Sequence, residues 1–440
     1  MLSSWNEFTL DEVCTKITDG AHRSPKSVEI GKPMASVKDL ESYGLNLENA
    51  RQISDEDYIE LVSLGCKPEL GDILIAKDGN SALDKVCIFE KEADVVLLSS
   101  VAILKPNFNI IDSRFLKYYF LSPLNISYLK RNFISGAAIP RVILRDFKKS
   151  KILLPALHEQ KAITHVLGAL DDKIELNRQM NETLESMAQA LFKSWFVDFD
   201  PVIDNALAAG NPIPDALKAK AAQRFEQLKA ATQSGTLLAA NRELFPSEFA
   251  FTEELGWIPK GWTVGAVKEV VKRLKINKTY TKKDVLDHGA VPVYEQGAKI
   301  LLGYHNNEPN IKASINNPAF IFGDHTCINK LSLEPFSTSS NVITLIGKIY
   351  PTVWVYYAVK DKQSFEEYRR HWMEFIIKPV ILPSLELTEL FSEYTTSFQV
   401  KQMKIQNQNS DLAKLRDTLL PKLLSGELRI ADAAALVEGV

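Results

Sequence analysis

One apolar position in every seven recurs twice along the chain. Ile163, Leu170, Asn177, Leu184 and Leu191 mark the first run, and Phe391, Phe398, Ile405, Leu412 and Leu419 mark the second. Each member of the second run lies 228 positions after its counterpart, and so does Pro383 after Pro155 in the preceding words KPVILPSLEL and KSKILLPALHEQ. An apolar spacing of seven, held this long, predicts a helix whose stripe packs on another helix. Val166, Leu167, Ile174, Met180 and Met187 widen the first stripe, and Tyr394, Leu415 and Leu423 the second. Residues 158–196 contain no proline and only Gly168 as a breaker. They would extend to roughly 58 Å at 1.5 Å per residue, whereas globular helices average about 12 residues. Two such helices in one frame most simply pack on each other. Asn177 is a polar residue in the stripe, of the kind that fixes register at some cost in stability. Gln406, Asn407 and Asn409 are the partners within reach.

Upstream of the helices the repeat continues more loosely. Trp5 opens WNEFTLDEV and Trp262 opens WTVGAVKEV; ELGDILIAKDG pairs with NNPAFIFGDHT, LLSSVAILKPN with STSSNVITLIGK, and FLKYYFLS with VWVYYAVK. The offset falls from 257 at Trp5 to 238 near Tyr119 and then to 228, so the second copy has lost loop residues. Short β-rich runs at 72–76, 95–104, 319–322 and 342–346, with helical patterns towards the end of each copy, predict α+β units. Between the copies, DPVIDNALAAGNPIP reads as turn-rich and DALKAKAAQRFEQLKAATQ as a solvent-facing helix capped by Asp215. The layout is therefore globular, long helix, connector, globular, long helix.

Composition narrows the class. The 440 residues carry 52 Lys+Arg against 55 Asp+Glu, a net charge of -3, which argues against coating nucleic acid by charge alone. Local basic patches or basic partners remain compatible with reading DNA. Cys14, Cys66, Cys87 and Cys327 form no C-x-x-C pair and read as reduced, mostly buried thiols of a cytosolic protein. The start MLSSWNEFTLDE lacks the basic and apolar regions of a signal peptide, and no apolar run reaches the roughly 20 residues of a membrane span.

Catalytic motifs do not emerge. Asn317-Pro318-Ala319-Phe320 lacks the second proline of the clamp that holds a flipped adenine. No phosphate-cradling glycine loop follows a strand. The repeated pairs Gly71-Asp72 and Gly323-Asp324 read as turn caps rather than a nuclease site. The seven histidines are scattered, with no metal or triad spacing.

Several words together resemble one family. LPALHEQKAI at the start of the first long helix, LFKSWFVDFDPV at its end, LFPSEF with ELGWIPKGW, and LLPKLLSGELRI near the C-terminus are similar to segments of the specificity subunits of type I restriction-modification systems. TDGAHRSP and SGAAIPRV resemble segments of their target-recognition domains. Two departures stand out: EYRRHWMEFIIKPV takes the place of SGAAIPRV in the second half, and LELTEL replaces the His-Glu-Gln start. The resemblance implies two α+β target-recognition domains, separated by two long antiparallel coiled-coil helices with an internal pseudo-twofold repeat. It implies a target-recognition domain over 1–155, a spacer helix over 156–200, a connector over 201–255, a second recognition domain over 256–383, and a second spacer helix with a tail over 384–440. It implies a cytoplasmic, non-catalytic subunit that binds double-stranded DNA, two methyltransferase (modification) subunits and the motor/nuclease (restriction) subunits. This chain itself would hold no cofactor; the other subunits would use S-adenosylmethionine, ATP and magnesium.

Candidate DNA contacts follow from residue type and loop context, since Arg can pair bidentately with guanine and Asn with adenine while Lys seeks phosphate. In the first copy they are His22, Arg23, Ser24, Lys26, Lys77, Asn80, Arg141 and Arg145. In the second they are Lys275, Asn277, Lys278, Tyr280 and Lys282, within a run of seven Lys/Arg over 268–283, together with Arg369 and Arg370. Solvated surface is the competing reading for each of them. Trp195, Phe196 and Phe199 read as core against the connector or as a docking surface for a modification subunit. Two other classes stay open: a self-sufficient methyltransferase or nuclease, and a coiled-coil scaffold that does not bind DNA.

Overall fold

A computed structural model describes residues 5–136, 140–230, 241–297 and 299–437. The chain forms two compact units, one of residues 1–177 with 407–440 and the other of 178–406. The division cuts both long helices in the middle, so each unit takes in half of each. The helices run over Leu157–Phe196 and Leu385–Leu424. Gly168 does not interrupt the first: the Cβ it lacks would lie 2.7 Å from the guanidinium of Arg114, which crosses there to reach Asp172 at 3.1 Å.

Within each unit the two half-helices are antiparallel. In the first unit Asp171 meets Arg416 and Asn177 meets Asn409; in the second Asn181 meets Gln402. The stripe is buried at Ile163, Leu170, Asn177 and Leu184, and at Phe391, Ile405, Leu412 and Leu419, while Leu191 and Phe398 are half-buried. Met180 and Met187, expected in the stripe, are instead exposed. They stand three residues after Asn177 and Leu184, about 60° round the helix from those buried positions. Asn177 donates to Gln408 at 2.9 Å and to Asn409 at 2.8 Å.

Each unit builds its own core on its half-helices. In the first, Phe115, Leu116, Phe120 and Phe147 pack with Ile163, Leu167, Leu412 and Leu419. In the second, Phe320, Trp354 and Phe375 pack with Trp195, Phe196, Leu387 and Phe391. Trp195, Phe196 and Phe199 are therefore core residues: Trp195 lies edge-on to Phe245 of the connector at 5.1 Å, and Phe196 and Phe199 lie about Trp262.

The sheets repeat in order and in register. A two-stranded sheet pairs Asn6–Thr9 with Lys151–Leu154 in the first unit and Thr263–Ala266 with Pro379–Leu382 in the second. Asn6 faces Leu154 and Thr263 faces Leu382, so the 257 and 228 offsets of the sequence are one strand pairing. A four-stranded antiparallel sheet follows. Its order is Cys14–Asp19, Val101–Pro106, Ile73–Ala76, Val86–Ile88 in one unit and Val271–Arg273, Val342–Gly347, Ala319–Gly323, Asn329–Ser332 in the other. A three-stranded sheet has Lys32–Ala35 or Val291–Tyr294 at its centre, antiparallel to one neighbour and parallel to the other. The expected strand over 95–104 is two strands in different sheets, Val96–Leu97 and Val101–Pro106. The turn over 98–100 between them lets the chain change sheets.

The shrinking offset has a structural origin. Helices Asp55–Ser63 and Pro123–Phe133 of the first unit have no counterpart among the described residues of the second. The connector departs from expectation in two places. Residues 200–209 are not turns but a helix, Asp200–Ala209, because Pro201 sits where a helix tolerates it and Gly210 ends it at φ +70°. Asp215 does not cap Lys218–Ala230; it opens the short 3-10 turn Asp215–Leu217 and pairs with Lys218 at 2.6 Å. The four cysteines are free and buried.

Candidate nucleic-acid interface

Three segments far apart in sequence meet at one end of the four-stranded sheet of the first unit. The Cys14–Asp19 strand ends in Asp19, and Ala21 N–H donates to Leu97 O at 2.7 Å beside it. Gly20 is required there: a Cβ would lie 2.1 Å from Leu97 O. Ile73–Ala76 ends next to it, where Lys77 N–H donates to Ser100 O at 2.7 Å. The third segment clasps this loop, with Val142 N–H donating to Lys77 O and Gly79 N–H to Pro140 O, both at 2.9 Å.

The side chains gathered there differ in availability. Lys77 is buried with its ammonium ion-paired to Asp19, so it is not free to seek phosphate. His22 lies 3.2 Å from the same carboxylate. Arg23 binds Asp57 and Glu60 through one nitrogen, both at 2.8 Å, and Ser24 accepts from Arg51 at 2.9 Å. Lys26 and Asn80 are exposed. Arg141 is 63% exposed and donates through Nε to Asp78 at 3.0 Å. Arg145 is exposed on the short helix Leu144–Phe147, apart from the clasp, with Asp146 at 3.7 Å.

The second unit repeats the arrangement with other residues. Asp324 follows the strand Ala319–Gly323, its N–H donates to Asn341 O at 3.0 Å, and its carbonyl accepts from His371 N–H at 2.7 Å. The segment Arg370-His371-Trp372 therefore occupies the place of Arg141-Val142, although the words do not align. The Asp324 carboxylate accepts from Trp372 N–H at 3.0 Å and lies 3.7 Å from Arg370 Nε. Arg369 is spent on three carboxylates: Glu374, Glu366 at 3.2 Å and Glu367 at 2.8 Å. The His325 ring stacks on Tyr368 at 4.8 Å.

The basic run divides. Lys275, Asn277, Lys278 and Lys282 are exposed on the loop after the strand Val271–Arg273. Tyr280 is not: it is 3% exposed, stacked on His305 at 4.2 Å, with Lys278 Nζ above its ring. It anchors the loop instead of facing a base. His305 accepts from Asn307 N–H through Nδ1 and bonds Ser337 through Nε2 at 2.9 Å, an arrangement of the neutral ring. Burial and nearby Lys278 hold its pKa below the usual value.

Sequence reading missed Asp19, Asp78 and Asp324 as the carboxylates that organise these loops. The Gly323-Asp324 pair was read as a turn cap; the Asp324 carboxylate instead accepts from Trp372 N–H, 48 positions on. Asp72, of the other pair so read, is buried, accepts from Glu69 N–H at 2.8 Å and pairs with Lys105 at 3.0 Å. Burial raises its pKa against those bonds. Phe320 is fully buried within a strand, which removes Asn317–Phe320 as a base clamp.

Residues 3–186 match the model of the type I restriction modification DNA specificity domain. The type I restriction enzyme HindI specificity subunit of Haemophilus influenzae is 25% identical over 402 residues, covering 81% of this chain and 86% of that protein. The MjaIX specificity subunit of Methanocaldococcus jannaschii is 25% identical over 336 residues, covering 73% and 70%. The chain is thus similar, over most of its length, to the specificity subunits of type I restriction-modification systems, and residues 3–186 carry the match to their DNA specificity domain. The crystal structure of the S subunit of a type I system from M. genitalium shares the fold of this chain, with a TM-score of 0.50 at 15% identity over 95% of this chain and 96% of that one. Among the described residues, no group of three or more His, Cys, Asp and Glu is placed to hold a metal, and no helix is long and apolar enough to cross a membrane.

Proposed function

We propose that this chain is a type I specificity subunit that reads a bipartite double-stranded DNA site, one half with each unit. It chooses the site and leaves catalysis to its partners. The observation that carries the reading is the repeated pair of loop clasps. Both units hold the same strands in the same register, yet Lys77 with Asp19 stands in one where Asp324 with Arg370 stands in the other. Similar frames with different side chains suit two different half-sites.

In this reading the functional segments are 1–155 and 256–383 as readers, 156–200 and 384–440 as spacers, and 201–255 as connector. Two modification subunits bind it and supply adenine methylation from S-adenosylmethionine; restriction subunits use ATP and magnesium. The relatives are bacterial and archaeal, and we place the chain in a prokaryotic cytoplasm beside the DNA.

The test is an exchange. Replacing residues 1–155 by the same segment of a relative, with the modification subunits co-expressed, should change one half of the methylated motif and leave the other intact. A motif altered in both halves, or in neither, overturns the reading.

A further inference from the structure

We propose that Arg141 and Arg370 are the guanine readers of the two half-sites, an assignment that rests on the DNA-reading function above. The two residues occupy one structural position. Arg141 directly precedes Val142, whose N–H is bonded to the carbonyl of Lys77, the first residue after its core strand. Arg370 directly precedes His371, whose N–H is bonded to the carbonyl of Asp324, again the first residue after its core strand. The 228 offset of the sequence does not pair them; it pairs Arg141 with Arg369.

Each arginine sets its inner nitrogen against a carboxylate: Arg141 by a hydrogen bond, Arg370 by an ion pair. Nε of Arg141 bonds Asp78, whose side chain is 18% exposed, at 3.0 Å. Nε of Arg370 faces Asp324, 10% exposed, at 3.7 Å. Among the described residues the two terminal nitrogens of either guanidinium make no hydrogen bond or ion pair, and the side chains are 63% and 75% exposed. A guanidinium tethered at Nε is oriented before it binds, and its free terminal nitrogens match the O6 and N7 acceptors of guanine. Two neighbouring arginines lack this state. Arg369 is surrounded by Glu366, Glu367 and Glu374, and Arg23 is spent on Asp57 and Glu60. Arg145 Nε also lies 3.7 Å from a carboxylate, but that of its chain neighbour Asp146, 40% exposed, and Arg145 stands apart from the clasp.

The experiment uses the full chain co-expressed with its modification subunits and long-read sequencing of the methylated DNA. Arg141→Lys keeps the charge and removes the fork. It should relax one G·C position in one half-site, with binding to the cognate duplex weakened about 5- to 100-fold and the salt dependence unchanged. Arg370→Lys should do the same in the other half-site only. Asp78→Ala should relax the Arg141 position and no other, which a merely structural role would not produce; an unchanged melting temperature separates this from misfolding. An unaltered motif in both lysine variants overturns the assignment, as does a loss spread evenly over all sequences, the mark of a phosphate contact. A wild-type complex with no defined motif overturns both this assignment and the proposed function, whereas unaltered lysine variants beside a defined wild-type motif overturn the assignment alone.

Discussion

The hydroxyl of Tyr118 donates to Oδ2 of Asp171 at 2.8 Å, tying the helix Ser113–Leu121 of the first unit to its long half-helix. Asp171 also binds Arg416 at 2.8 Å and Lys117 at 3.5 Å, so one buried carboxylate joins three elements. The second unit repeats the tie: Gln399, 228 positions after Asp171, donates to the hydroxyl of Tyr357. Burial beside Asp171 pushes the Tyr118 pKa well up, so this hydroxyl stays protonated and remains a donor.

Tyr118→Phe should destabilise the first unit by about 1.5–3 kcal/mol, the range for a hydrogen bond to a charged group. Asp171→Ala should cost about 3–5 kcal/mol, because it leaves Arg416 and Lys117 without their carboxylate. Urea unfolding of both variants checks the order; equal losses, or none for Tyr118→Phe, would refute the account.

Asn177→Ala should remove the polar layer between the half-helices of the first unit. Gln408 and Asn409 then lose their donor in a buried seam, at about 1–3 kcal/mol for the groups left unpaired. A single melting transition shifted downward is the expected calorimetric result, and a variant as stable as the wild type contradicts it.

His305 gives the second unit an acid sensitivity. Its folded pKa lies below the ordinary 6.5, chiefly through burial and then through Lys278. Its unfolded form therefore takes a proton first as pH falls, and stability present above the ordinary value is lost as pH drops through the folded pKa. Unfolding midpoints at pH 7.5 and 5.5 should differ more in the wild type than in His305→Gln, whatever the variant's overall stability. Equal pH dependence in the two proteins would exclude this residue as the cause.

Seven residues inserted into each long helix, near Asn181 and Gln402, should lengthen the unread gap of the site by about three base pairs, since a heptad adds about 10 Å of helix and each base step about 3.4 Å. Neither half-site should change. Methylome sequencing that returned the original gap would end the idea that the helices act as a ruler.

The strongest sequence signal was also the one the fold kept most directly. Ile163 and Phe391, Leu184 and Leu412 share one heptad frame because a helix places every seventh residue on nearly the same face. The 257 and 228 offsets were legible at Trp5 with Trp262 and Pro155 with Pro383, but the strand pairing of Asn6 with Leu154 that joins them was not. Met180 and Met187 were misplaced because apolar character alone does not say which edge of a stripe meets the partner. The 200–209 helix was missed because asparagine, proline and glycine there mark helix ends as well as turns.

The candidate contacts were legible only as residue types. Lys77, Arg141 and Arg370 are all cationic loop residues in sequence, and nothing local separates them. The fold buries the Lys77 ammonium against Asp19 and leaves the Arg141 fork exposed beside Asp78. It sets Arg370, not Arg369, in the position equivalent to Arg141.

By itself, then, the sequence determined the repeat, the two long helices and the α+β character of each copy, because periodicity is written in neighbouring residues. Only the tertiary structure decided which charges are spent and which are free. Asp19, Asp78 and Asp324 lie 58, 63 and 46 positions from Lys77, Arg141 and Arg370, and a charge is neutralised by what the fold brings within a few ångströms.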